Sequence, residues 1–292
     1  MSVSEAAGPD SDESHGTEAG APRVPAPGNG GLERRAILGM RVDATTYPDA
    51  IDRVMRWARS GEARTVGVAT VNNVMEAHDD RAFLDVMDDC DLVTPDGAPL
   101  VWGLRLLGVR GATRVYGPEL TPRLLARAAD EGVPVGFFGG SPEVIEALRT
   151  IATERWPGMH VAYAYSPPFR QLDEREDDEI VNAIVQSGAQ VLFVGLGCPK
   201  QERWMYDHRD RLPLVQLGVG AAFDFLAGTK RQAPGILQRA GLEWLFRLAT
   251  EPRRLWKRYL RHNPRFVALF GAQVVRARLG RGRGGSQADP RR

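Results

Sequence analysis

The chain has 292 residues, 43% of them hydrophobic, with 38 Lys or Arg against 37 Asp or Glu. This composition supports a full buried core, in one large domain or two small ones, and excludes a wholly disordered or fibrous chain. The formal net charge of +1 hides two opposed ends. Residues 1–33 carry Glu5, Asp10, Asp12, Glu13, Glu18 and Glu33 against Arg23 alone, whereas residues 247–283 carry eleven Lys or Arg against Glu251 alone. The basic end points to an anionic partner such as a phosphate, an acidic lipid or a nucleic acid. Cys90 and Cys198 have no Cys or His neighbour at metal-ligand spacing, which argues against a disulfide framework or a zinc site. With no basic-then-apolar leader and no run of about 20 apolar residues, the chain is expected to be cytoplasmic and reduced.

Residues 1–33, rich in Gly, Pro, Ser, Ala and acidic side chains, are expected to be disordered because they have too little apolar surface to offset ordering entropy. Strands and helices then alternate: strand 36–42, helix 48–59, strand 65–71, helix 73–88, strand 91–94, and helices 98–107 and 119–131. Strand 133–138 runs into Gly139-Gly140-Ser141-Pro142, where Ser141 has the character of an N-cap and Pro142 of the first helical residue of 143–155. Strand 160–165, helix 173–186, strand 190–194, helix 200–208 and strand 214–218 follow. Such alternation predicts an α/β domain over 34–234, Rossmann-like, with a mainly parallel, doubly wound sheet and helices on both faces. After Pro234 only helical segments follow, at 235–249, 252–262 and 264–279, which predicts a helical basic appendage over 235–279. The Gly- and Arg-rich residues 280–292 are expected to form a second disordered tail.

Candidate chemistry lies where strands end, because ligands of open α/β sheets bind outside the carboxyl ends of the strands. Asp96, in Thr94-Pro95-Asp96-Gly97, is placed either to accept a proton as a general base or to cap the next helix. Thr70, Asn72 and Asn73 offer hydroxyl and amide groups to a sugar or base edge, or else serve a turn and N-cap. In Gly195-Leu196-Gly197-Cys198-Pro199-Lys200-Gln201-Glu202, Gly195 and Gly197 permit close backbone approach. The helix start beyond them favours anions, and Gln201 and Glu202 add hydrogen-bonding groups; the plain alternative is a tight strand-to-helix turn. Gly139 begins a second phosphate-sized turn, yet neither segment is a G-x-G-x-x-G or Walker motif, so neither supports a nicotinamide or ATP site. Asp224, between Phe223 and Phe225, is expected to cap, pair or touch a ligand.

In the tail, Leu255, Trp256, Tyr259 and Leu260 form an apolar stripe opposed by Arg254, Lys257, Arg258 and Arg261. This basic amphipathic helix suits an anionic membrane surface or a pyrophosphate; a solvated basic face is the bland alternative. Nucleic acid is not expected as a partner, since no helix-turn-helix, RRM or zinc signature accompanies the charge.

Taken in order, T-V-N-N (70–73), T-P-D-G (94–97), V-Y-G-P-E-L (115–120), F-F-G-G-S (137–141), G-L-G-C-P-K-Q-E (195–202), G-V-G-A-A-F-D-F-L-A-G (218–228), R-Q-A-P (231–234) and E-W-L-F-R (243–247) resemble the WecG/TagA/CpsF family of bacterial glycosyltransferases, glycosyltransferase family 26. The resemblance covers about residues 36–262. It implies inverting transfer of an N-acetylmannosamine-type or related hexose from a UDP-sugar to a sugar on undecaprenyl diphosphate. Such transfer serves cell-surface polysaccharide or wall teichoic acid synthesis. A sugar-nucleotide or lipid-diphosphate binding module without turnover is the alternative. The resemblance further implies no cofactor and no essential metal. By motif, Asp96 would be the general base, Thr70, Asn72, Asn73, Gln201, Glu202, Gly139, Gly195 and Gly197 would contact substrate, and Arg247, Arg254 and Arg258 would bind the diphosphate. It also implies that the C-terminal helices sit on the inner face of the plasma membrane and that the chain forms an oligomer of unspecified number.

Overall fold

The computed structural model describes residues 31–283. Its centre is a six-stranded sheet built from β3 (Arg64–Ala69), β4 (Leu92–Pro95), β5 (Val135–Gly139), β6 (Val161–Tyr165), β7 (Val191–Gly195) and β8 (Val215–Gly218). Every adjacent pair is parallel, in the order β4-β3-β8-β7-β5-β6. The strands are short apolar runs buried on both faces, as a parallel sheet flanked by helices requires. Successive side chains alternate between two cores. Phe137, Phe193 and Leu217 pack with α1 (Tyr47–Arg59), α5 (Gly117–Glu131) and α6 (Pro142–Arg155). Phe138, Leu192 and Val194 face the other way, toward α7 (Glu174–Gln186) and α8 (Lys200–His208). The expected doubly wound architecture is therefore present, and its sheet is parallel throughout.

The departures from the expected elements have local causes. The apolar run 36–42 is a hairpin outside the main sheet, β1 (Arg34–Ile37) antiparallel to β2 (Met40–Asp43). It turns at Leu38 and Gly39, both at positive φ. The helix expected over 73–88 is two, α2 (Val71–Asp79) and α3 (Arg81–Asp89), because the Asp80 carboxylate accepts from the backbone N–H of Ala82 and Phe83 and starts a new helix. After α4 (Ala98–Leu106) and the short α9 (Ala222–Leu226), the tail forms α10 (Gly235–Arg239), α11 (Glu243–Thr250) and α12 (Pro252–Arg283). Gly241, at φ 70°, breaks the helix expected over 235–249. Conversely, Pro264 does not divide α12; the acceptor it leaves unused is Leu260 on a solvent-exposed stretch.

The C-terminal helix is seated on the α/β unit rather than loosely appended. Phe266, Phe270 and Val274 are buried in the core formed by β1, β2 and α2 to α4, and the Phe270 ring fills space that only a glycine at 103 leaves open. Gln273 Oε1 accepts from Leu38 N at 2.9 Å and its Nε2 donates to Ala36 O at 2.7 Å, while Arg265 clasps Asp79 at 2.7 and 2.8 Å. The apolar stripe expected at 255–260 is split: Leu255 is buried, whereas Trp256 and Leu260 are exposed. The expected tails lie outside the described residues except for 31–33 and 280–283, the latter continuing α12. No helix among the described residues is long and apolar enough to cross a membrane.

Candidate active site

The chain leaves β4 on one side of β3 and crosses to β5 on the far side of β8, so the segments after β3, β4 and β8 open around one crevice. The tail helices α11 and α12 close over it, enclosing a cleft of about 700 Å³. Thr70, Asn72, Asn73, Asp96, Gly197, Gln201, Arg247, Arg254 and Arg258 all line this cleft. Gly139 and Gly195 do not. Gly195 leaves room for the Phe223 ring, 2.3 Å from where a Cβ would lie, and a Cβ on Gly139 would meet the Gly195 backbone at 2.6 Å. Both glycines thus serve the close packing of β5, β7 and α9. Asp224 pairs with Lys230 Nζ at 2.8 Å.

Asp96 does not cap α4, whose N-cap is Gly97 without a side-chain bond. Its Oδ2 instead accepts from Gly117 N at 3.0 Å, and Oδ1 stands 3.7 Å from Arg114 Nη2. Arg114 is shared: its Nε donates to the Asp96 carbonyl, while Nη2 lies 2.5 Å from Glu243 Oε2. The Tyr116 hydroxyl donates to Glu243 Oε1 at 2.8 Å, and the Arg114 guanidinium lies 4.0 Å from the centre of the Tyr116 ring. Burial raises the Asp96 carboxyl from 3.8 to about 6; Arg114 opposes this, Glu243 adds to it, and the Gly117 N–H and Arg247 oppose it. The result is a carboxylate in a cleft, ionised at neutral pH and weakly enough held to take a proton.

A second network fixes the opposite wall. Thr70 is the N-cap of α2, with its hydroxyl donating to Asn73 Oδ1 at 2.9 Å and the Asn73 side chain returning to Thr70 N at 3.0 Å. The Asn73 amide donates to Glu202 Oε1 at 2.9 Å, and the Gln201 amide donates to the same oxygen at 3.0 Å. Gln201 Oε1 accepts from Gly197 N at 3.1 Å. Glu202 is therefore a buried anchor behind the cleft wall, with its carboxyl raised by burial, and the amides of Asn73 and Gln201 are fixed by it. Asn72 donates to Cys198 Sγ at 3.2 Å, while its Oδ1 is buried with no hydrogen-bond partner among the described residues.

Three arginines enter from the tail. Arg254 pairs with Glu251 at 2.8 Å. Arg247 and Arg258 make no ion pair among the described residues, and the Nε atom of each is buried without a hydrogen-bond partner. Arg247 lies 5.7 Å from the Phe225 ring centre and Arg258 5.3 Å from that of Tyr259. Both residues are half-buried, and their unbonded Nε donors at the cleft wall are groups that an anion in the cleft would satisfy.

The sequence by itself assigns no role to Arg114, Tyr116 or Glu243. Tyr116 and Glu243 lie inside two of the quoted blocks, which was a usable signal; Arg114 is 129 residues from its partner Glu243 and carries none. The chain is 27% identical over 247 residues to N-acetylglucosaminyldiphosphoundecaprenol N-acetyl-beta-D-mannosaminyltransferase of Staphylococcus aureus strain NCTC 8325 / PS 47, covering 83% of this chain and 92% of the relative. The protein of the same name from strain COL matches to the same extent. Residues 35–281, which include every side chain of the cleft, match the Glycosyl transferase WecG/TagA/CpsF family, and the chain is a glycosyltransferase belonging to that family.

Proposed function

We propose that the protein transfers an N-acetylmannosamine-type hexose from a UDP-sugar to a sugar on undecaprenyl diphosphate, with inversion at the anomeric carbon. The observation that supports this most directly is the pairing, in one cleft, of a carboxyl raised to about 6 with two arginines whose buried Nε atoms make no hydrogen bond among the described residues. Asp96 takes the proton of the acceptor hydroxyl as that oxygen bonds to the anomeric carbon; the bond to the UDP oxygen breaks, and UDP leaves with the electron pair. Arg247, Arg254 and Arg258 stabilise the charge that develops on the leaving diphosphate. Asn72 and Gln201 hydrogen-bond sugar hydroxyl or acetamido groups, with Thr70, Asn73 and Glu202 holding them in place. The basic exposed side of α12 rests on an anionic bilayer, which brings the lipid-linked acceptor to the cleft and fits synthesis of a cell-surface polysaccharide or teichoic acid.

The test combines purified protein, a panel of UDP-sugars and a short-chain lipid diphosphate carrying N-acetylglucosamine, with products identified by mass. A single β-linked disaccharide product from one donor is expected. Asp96→Asn should fold, retain donor binding and lose about three orders of magnitude in turnover. Binding without product in the native protein would instead establish a non-catalytic module, and full turnover by Asp96→Asn would remove the base.

A further inference from the structure

The cleft does not end at the polar site. From Asp96 it continues between α4 and α12, and the residues of α12 that line it change character along the helix. Arg258, His262, Phe266, Phe270 and Val274 follow at four-residue steps, each a neighbour of the last along the helix, and all line the cleft. The stripe is polar for its first two members and apolar for the rest. Across from it, α4 contributes Trp102 and Leu106, each 48% exposed, and α12 adds Val267 at 71%. Phe266 and Phe270 are buried, so they form a floor while the three exposed side chains form walls.

We propose that this groove seats the isoprenoid chain of the lipid-linked acceptor, with its first units along Phe266, Phe270 and Leu106 and the diphosphate at the His262 end. The proposal rests on the transferase reading above. Two observations select this occupant. The groove is continuous with the cleft holding Asp96, so a ligand lying in it reaches the reacting atoms at its polar end. At that end His262 is 4% exposed, yet its Nδ1 has no hydrogen-bond partner among the described residues, and the nearest acid, Glu76, stands 3.9 Å from Nε2. Arg258 Nε, a donor, is likewise buried and unpartnered there. An amphiphile with a charged head and a branched apolar chain satisfies both ends; a wholly polar acceptor would leave the walls bare.

The experiment measures binding of two soluble acceptors, N-acetylglucosamine linked through diphosphate to farnesol and its methyl-diphosphate counterpart, by calorimetry without detergent or vesicles. The farnesyl compound should bind at least about tenfold more tightly. Leu106→Gln and Val267→Gln, both at exposed positions compatible with folding, should bring the ratio of the two affinities close to one. His262→Ala should weaken both compounds together. Equal affinities in the native protein would overturn the proposal. So would a ratio untouched by Leu106→Gln and Val267→Gln, or variants whose only defect is poorer sedimentation with anionic vesicles, which would make the groove a bilayer contact. Sugar transfer is followed in the same samples: its absence alongside tail-dependent binding counts against the transferase reading alone.

Discussion

Asp96 carries opposed consequences for activity and stability. As a base it must be ionised, so with the carboxyl at about 6 turnover should fall tenfold for each pH unit below that value and level off above it. The stability sign is the reverse of a salt-bridged carboxylate. The folded value lies above the ordinary 3.8, so the folded state holds the proton more tightly than the unfolded chain, and stability declines as pH rises from about 4 to about 6. At neutral pH the buried charge costs on the order of 1–3 kcal/mol. Asp96→Asn keeps an acceptor for Gly117 N–H and removes that charge, so it should raise Tm at pH 7.5 by a few degrees while abolishing transfer; at pH 4 the native and variant proteins should melt together. A lower Tm at pH 7.5 would show that Arg114 stabilises the carboxylate more than burial penalises it.

At the scale of elements, the short α11 matters because it delivers Glu243. Asp96 is faced by Arg114 and Tyr116 from the segment after α4, by the Gly117 N–H of α5, by Tyr47 of α1, and by Glu243 and Arg247 of α11. Glu243 holds Arg114 at 2.5 Å and leaves it 3.7 Å from Asp96, so the tail keeps the strongest nearby cation from settling on the Asp96 carboxylate. In Glu243→Gln the Arg114 guanidinium is released toward Asp96. The acid limb of the pH–rate profile should move to lower pH, and turnover at pH 7.5 should fall roughly three- to tenfold as the base weakens, with Glu243→Asp restoring most of it. An unmoved limb with reduced turnover would mean that α11 acts only by shaping the cleft. This coupling also marks the limit of what the sequence reveals. Alternating apolar runs and capping residues placed nearly every element, because period and N-cap chemistry are local; α8 falls at Lys200–His208 as expected. The turn at Leu38-Gly39 lay hidden in a continuous apolar stretch, and the break at Asp80 lay within a run of charges. That Asp96, Asn72 and Gln201 line one cleft was legible, because each follows a strand or starts a helix. The packing role of Gly139 and Gly195 was not, since a glycine admits a ligand and a neighbouring ring by the same lack of a Cβ.

Across the whole molecule, the question is whether the tail is an accessory or part of the folded unit. The sequence predicts it as a helical basic appendage over 235–279. The packing argues for greater dependence. Removing α12 withdraws Leu255, Phe266, Phe270 and Val274 from burial and uncovers the core around Leu100 and Leu104, at about 1.5–3 kcal/mol for each large side chain. It also leaves Asp79 without Arg265 and frees the Leu38 N–H and the Ala36 carbonyl that Gln273 satisfies at the β1–β2 hairpin. The sum is comparable with the whole stability of an ordinary domain. A chain ending at Thr250 should therefore melt at least about 10 °C lower, bind a hydrophobic dye at temperatures where the full chain does not, and show no turnover even with soluble acceptors. Phe270→Ala offers a milder version, with a loss of about 3–5 kcal/mol and Arg247 and Arg258 still in place. If the shortened chain melted with the full-length protein, α12 would be a detachable arm, and its arginines would reach the diphosphate only when substrate or membrane brought them there.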